Sequence, residues 1–245
     1  MNNAITKKIG VGAVLVALLG VIVWITIHGQ GPGSGGRADA PTPAPKMDTA
    51  KLSAKWPQIV AQAAAPARGR VGTRYTLAEF GDFQCPQCGK ARPVLEGLIA
   101  RYPAQVNLIF LHRPFPQMHP WAVPAGQASE IAAAQGKFWP MYDVLYDHQD
   151  DLETGFYGDY AAKAGLSEAP FKAAFAAGQG MDKVKAASAF ADSLGVQETP
   201  TVLLYDSKTK AMTVYVGLDG TKFANGSPQY PGVRSLAAAP PWARG

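Results

Sequence analysis

Cysteine and histidine are scarce in this chain: two and four among 245 residues. Two cysteines exclude a disulfide-dense scaffold, and they leave a zinc site short of ligands. Structural zinc takes four, usually a second C-x-x-C or an H-x₃₋₅-H pair, and His112, His119 and His148 lie too far apart to form that pair. Basic charge is thin as well. The net charge of +5 falls to +3 without Lys7 and Lys8, and no basic stripe occurs, which argues against a nucleic-acid partner. No internal repeat is visible, so a solenoid is excluded. The acidic cluster Asp147, Asp150, Asp151 and Glu153 lacks the spacing and glycine of an EF-hand and reads as a solvated loop.

What is present centres on Glu79-Phe-Gly-Asp-Phe-Gln-Cys85-Pro86-Gln87-Cys88-Gly89-Lys90, which holds both cysteines. Tyr75, Leu77 and Glu79 alternate with Thr76, Ala78 and Phe80, the period of a strand buried on both faces. Pro86 suits the first position of a helix, because its φ is already helical and its missing N–H has no partner there. Cys85 is then the N-cap, beside the free N–H groups of the first turn. A helix N-terminus favours a thiolate by about 0.3–2 kcal/mol, or about one pKa unit. Any larger drop requires direct hydrogen bonds to sulfur, and the natural donors are the backbone N–H and the thiol of Cys88. Cys85 is therefore the attacking sulfur and Cys88 the resolving one. Gln87 between them is neutral and leaves the redox strength open. The competing readings, a zinc site and an inert disulfide closing a very short loop, have little to support them.

The chain opens with Lys7 and Lys8 and then runs from Ile9 to Ile27 without a charge. That length crosses a bilayer as a helix. The lysines precede it and no acidic residue occurs before Asp39, so the N-terminus stays in the cytoplasm and everything after His28 lies outside. A cleaved signal peptide is the alternative, but its apolar core is normally shorter, and Ala38-Asp39-Ala40 lies well beyond it. The expected organisation is a cytoplasmic N-terminus and membrane anchor over 1–28. A Gly/Pro-rich tether and a short helix follow over 29–66: Leu52, Trp56, Ile59 and Val60 recur at helical spacing, and Pro57 suits the first residue of a helix to about Ala65. Whether this helix docks on the domain or prolongs the stalk is not decided by the pattern.

Residues 67–118 read as strand, helix, strand. The helix continues from Cys85 to about Tyr102 with Pro93 inside it, and Val106–Leu111 is a continuous apolar run. Residues 119–194 are alanine-rich helix, with segments over 122–135, 138–148, 153–164, 168–177 and 182–194. Gly136, Gly165 and Gly178 serve as stops and Ser167 as an N-cap. Their many aromatics, from Phe138 to Phe175, read as packing rather than a cofactor box. Over 195–245, Thr201–Tyr205 and Met212–Gly217 form a hairpin about Asp206–Lys210. Pro200 either opens an edge strand or is a cis proline that leaves the preceding backbone free for an extended peptide.

Together the CPQC stretch, Pro93 five residues after Cys88, the helical insert and Gly195-Val-x-x-Thr199-Pro200-Thr201 resemble the DsbA-like branch of the thioredoxin superfamily, over about residues 68–217. The resemblance implies an α/β thioredoxin fold with an inserted α-helical domain. It implies a protein thiol:disulfide oxidoreductase with Cys85 as nucleophile, Cys88 as resolving thiol, Pro86 and Gln87 shaping the redox turn, and Pro200 cis and facing the cysteines with Thr199 before it. No metal or cofactor is implied beyond the Cys85–Cys88 pair. Exported cysteine-containing proteins are the implied substrates, with a membrane redox partner restoring the disulfide and the oxidising direction favoured over reduction or isomerisation. A non-catalytic peptide-binding module is the alternative of a different class. Glu79 falls where this family carries a buried acid near the disulfide; there it would exchange a proton with Cys88, and otherwise it is a carboxylate satisfied at the strand edge. Two departures stand out. Pro-Gln matches neither the Pro-His of oxidising members nor the Gly-Pro of thioredoxins, and the tail from Gly220 shows no amphipathic helix to close the sheet.

Overall fold

The computed structural model describes residues 47–152 and 156–217. The expected anchor and tether, and the tail beyond Gly217, lie outside the described residues. Among the described residues no helix is long and apolar enough to cross a membrane.

The first described elements are two short helices, α1 (Thr49–Ala54) and α2 (Trp56–Ala61). Asp48 caps α1, its carboxylate accepting from the N–H of Ala50 and Lys51 at 3.0 and 3.1 Å. The single helix expected to open at Pro57 is therefore a pair. Lys55 ends one helix and starts the other, and Pro57 falls second in α2, where its missing N–H breaks the ladder from the turn before. Both helices dock. Leu52 and Ile59 are buried against the sheet, and the Trp56 ring stacks on Tyr205 at 4.2 Å.

One mixed sheet in the order β2-β1-β3-β4 forms the frame. β1 (Tyr75–Gly81) and β2 (Val106–His112) are parallel, from Tyr75 opposite Val106 to Gly81 opposite His112, and α3 (Pro86–Arg101) crosses between them. Pro93 lies within α3, which runs unbroken, on its exposed side. β3 (Thr201–Asp206) is antiparallel to β1, and β4 (Met212–Val216) closes the expected hairpin. The segment 64–68 covers the outer edge of β2: Ala64 N–H donates to the Phe110 carbonyl at 2.9 Å, and Arg68 pairs with Leu108 at 2.8 and 3.0 Å. A covered edge is not free to pair with another chain.

The insertion between the two halves of the sheet holds α4 (Ala122–Ala133), α5 (Phe138–Asp147), a 3₁₀ turn at Gln149–Asp151, α6 (Tyr157–Lys163), α7 (Glu168–Ala176) and α8 (Met181–Ser193). Gly136, Gly165 and Gly178 all take φ near +70 just past helix ends, and Ser167 holds the N-cap of α7 without a hydroxyl cap bond. The start of the helix expected from Glu153 lies outside the described residues, and α6 is described from Tyr157. The 3₁₀ turn comes before it, and buried Leu152 accepts the Tyr157 hydroxyl at 3.0 Å.

Each face of the sheet has its own cover. Leu77, Leu108, Val202 and Leu204 pack on α3 through Ala91, Leu95 and Leu98. Ala78, Phe80, Ile109 and Leu203 pack on Leu52 and Ile59 of the first two helices and on Ala191 of α8. Among the described residues, that second face is covered by the two N-terminal helices together with α8. A third cluster joins Phe83, Cys85 and Cys88 to the inner sides of α4, α5 and α6.

Candidate active site

β1 stops at Gly81, where a Cβ would drive into the Phe110 ring. The chain turns through Asp82, Phe83 and Gln84 and enters α3 with Cys85 at the N-cap (φ −71, ψ 117) and Pro86 next. The two sulfurs differ in access. Cys85 keeps 6% of its surface exposed and Cys88 none, and both are free thiols. The peptide bond before Pro200 is cis, and the Cys85 thiol lies 3.4 Å from the carbonyl oxygen of Thr199, to which it donates. Buried Cys88 is reached by the N–H of Asp82 at 3.5 Å. Pro86 is exposed and Gln87 half-buried on the rim.

The helix terminus closes no capping bond to the Cys85 side chain. The N–H groups of Cys88 and Gly89 go to the Cys85 carbonyl at 3.0 and 3.2 Å. The Cys85 thiol is nevertheless lowered from its ordinary 9.0 to about 5. The Cys88 thiol donating to it is the main cause; burial opposes, while the Thr199 side chain and, more weakly, the N–H groups of Cys88 and Gln87 assist. Cys88 moves the other way, well above the ordinary thiol range, first by burial and then by Cys85 beside it. One sulfur is poised as a thiolate and the other as a thiol.

Glu79 lies beneath the pair and is fully buried. Burial raises its carboxyl to about 8, and a hydrogen bond from the Tyr142 hydroxyl to Oε2 at 3.1 Å pulls in the opposite direction. Oε1 has no partner among the described residues, so Glu79 is not a carboxylate satisfied at a strand edge. Arg68 lies over the Tyr142 and Trp139 rings at 5.5 and 5.0 Å. It also pairs with Glu96 at 2.6 Å and with Asp143, which ties α3 to α5 around that aromatic pair.

The structure brings Cys85, Cys88, Glu79, Thr199 and Pro200 together, and it adds residues that the sequence reading missed. The buried Asp82 carboxylate accepts the N–H of Gln84 at 2.8 Å and of Phe115 at 3.0 Å, and stands 2.8 Å from His119 Nδ1. Gln84 Oε1 accepts the Trp121 N–H at 2.7 Å. These contacts pin the loop after β2 to the cysteine turn. Arg113 donates from Nε to the Val196 carbonyl at 2.9 Å and holds the loop that leads to Pro200. Asp82 stands in the cysteine motif and was open to notice there; Tyr142, Gln149, His119 and Arg113 carry no local signal.

The family model described as thioredoxin matches residues 62–217. Over 134 residues the chain is 36% identical to the Na(+)/H(+) antiporter NhaA 3 of Salinispora tropica, covering 55% of this chain and 20% of that protein. The chain thus matches about a fifth of the length of that curated relative. Among solved structures it is similar to the catalytic domain of Proteus mirabilis ScsC, at TM-score 0.58 and 20% identity over 78% of this chain and 98% of that one. It is also similar to oxidised BdbD of Bacillus subtilis, at TM-score 0.54 and 22% identity over 59% and 83%. At these identities the structural likeness is one of fold. With the family model spanning the sheet, the cysteine turn and the helical insert, the chain belongs to the thioredoxin family and carries the DsbA-like form of its fold.

Proposed function

We propose that this protein is a membrane-anchored, extracytoplasmic thiol:disulfide oxidoreductase that introduces disulfides into exported proteins. The observation that carries the reading is the contrast between the sulfurs: a slightly exposed Cys85 lowered to about 5 beside a fully buried Cys88 raised well above the usual range. In the oxidised state a substrate thiolate attacks Cys85 Sγ, a mixed disulfide forms, and the Cys85–Cys88 bond breaks. The electron pair goes to Cys88, whose high proton affinity calls for a proton at once. Glu79, neutral up to about pH 8, supplies it. A second substrate thiolate then attacks the substrate sulfur of the mixed disulfide, and Cys85 leaves as a stabilised thiolate. The substrate is oxidised and the cysteine pair reduced by two electrons. Thr199 and Pro200 present backbone beside Cys85 for the extended substrate.

The same contrast favours the oxidising direction. At pH 7 a thiol moved from 9.0 to about 5 favours the reduced protein by at most about 2.7 kcal/mol. Solvent screening at the partly open sulfur brings this to about 1–2 kcal/mol. That raises the reduction potential by roughly 20–40 mV. The charge-free run from Ile9 to Ile27 supplies the anchor and the Gly/Pro-rich tether its reach. A relative that carries a similar segment within a membrane antiporter agrees with placement at a membrane. A membrane redox partner then restores the disulfide. The test is the reduction potential of the full chain in detergent, equilibrated against glutathione. A value well above about −270 mV is expected; a value at or below it assigns a reductase instead.

A further inference from the structure

We infer that Gln149, on the 3₁₀ turn of the helical insertion, is the positioning residue that holds the attacking cysteine in its turn. Its Nε2 donates to the carbonyl of Phe83 at 2.7 Å and to that of Cys85 at 2.9 Å. These two carbonyls flank Gln84 and bracket the entry to α3, so one amide fixes both sides of the turn. The Cys85 carbonyl also receives the N–H groups of Cys88 and Gly89, which makes it the point where the insertion and the first turn of α3 are joined. The amide is rooted. Leu152, just beyond the 3₁₀ turn, is buried and accepts the Tyr157 hydroxyl.

A second observation points to the same contact. Gly89 follows the cysteine motif at the fourth position of α3, where alanine is the better helix former. A Cβ there would collide with Oε1 of Gln149. Gly89 is the room that the clamp needs. Gln149 carries no charge and acts by geometry: with both carbonyls held, Cys85 Sγ stays within reach of the Cys88 thiol and of the N–H groups of Gln87 and Cys88. Released, the turn relaxes and those contacts lengthen.

This inference rests on Cys85 being the attacking thiol, and the experiment separates the two. Thiolate absorbance of the reduced full chain in detergent is followed against pH for the wild type, Gln149→Met, Gly89→Ala and the double variant, with thermal midpoints alongside. Methionine keeps the length of glutamine without a donor. In the wild type the first midpoint is expected near 5. Each single variant raises it by about one pH unit, as loss of one hydrogen bond's worth of stabilisation does. The double variant moves it no further, because both substitutions break one contact. Gly89→Ala does so with a thermal midpoint at or above the wild type, which a purely structural role does not predict. Unchanged midpoints in the variants beside a wild-type midpoint near 5, or shifts that add in the double variant, overturn the role of Gln149 and leave the proposed function standing. A wild-type chain whose thiols both titrate near 9 overturns both. Should Gln149→Met not fold, Gly89→Ala alone decides.

Discussion

Glu79, under the cysteines, and Glu130, on the seam between β2, α4 and α8, are 0% and 3% exposed, and burial pushes both toward neutrality. They end on opposite sides of the ordinary carboxylate value. Burial wins at Glu79, whose only donor among the described residues is a tyrosine hydroxyl, and its carboxyl rises to about 8. At Glu130 burial is overcome. His112 Nε2 stands 3.0 Å from one oxygen and the Lys183 ammonium 3.1 Å from the other, and its carboxyl falls below the ordinary range. Each region has the protonation state that suits it: a seam between helices keeps its charge matched, while a pocket under a leaving sulfur holds a proton ready to give.

Breaking the matched side has the largest expected effect. Glu130→Ala leaves His112 buried without its partner and opens a cavity, so unfolding in denaturant at pH 7 is expected to show a loss of about 3–5 kcal/mol. The depressed Glu130 carboxyl contributes stability that is present above its unfolded value of 4.5 and is lost as pH falls through its lower folded value. The variant is therefore less sensitive to acid than the wild type, and a small loss at pH 7 would undo the contrast.

Glu79→Gln works on the other side. The folded carboxyl is raised from 4.5 to about 8, so its contribution is complete below 4.5 and is lost as pH rises to about 8. That loss is at most about 4.8 kcal/mol, and roughly half that once the pocket relaxes around the charge. The reduced variant is expected to be about 2 kcal/mol more stable than the wild type at pH 8.5 and to lose the slope between pH 4.5 and 8. It also slows release of Cys88, by about 10²-fold if the proton comes from Glu79. A slope that survives the substitution would assign the pH dependence to another group.

Tyr142→Phe sharpens the comparison and has the smallest effect. It removes the one donor to Glu79 among the described residues, so the carboxyl moves further above 8. The ionised form loses a hydrogen bond of about 1.5–3 kcal/mol and the neutral form about 1 kcal/mol. Stability curves at pH 6 and pH 9 should thus separate by about 1 kcal/mol more than in the wild type. Equal losses at both pH values would mean that Tyr142 only fills space.

Much of the frame was open to reading in the chain. Cys85-Pro86 announced a helix N-terminus because N-cap and first-turn preferences act over a few residues, and the apolar runs at 75–80, 106–111 and 201–205 announced strands for the same reason. The five insertion helices appeared through their alanine-rich runs and the glycine stops at 136, 165 and 178. Whether the short helices before the sheet dock on it was not legible from spacing; Leu52, Trp56 and Ile59 do so, through contacts with residues such as Tyr205 far along the chain.

The order of residues along the chain supplies the chemistry on offer: two thiols at a strand-to-helix turn, an acid six residues upstream, and a proline loop to meet them. Tertiary structure alone decided how those groups are tuned. The Tyr142 hydroxyl that faces Glu79 comes from 63 residues away, and the Gln149 amide that grips the Cys85 carbonyl from 64. Contacts across such separations depend on how the insertion packs on the sheet, and no local spacing records that. The number of donors that reach a buried group sets its proton affinity, and only the packed molecule sets that number.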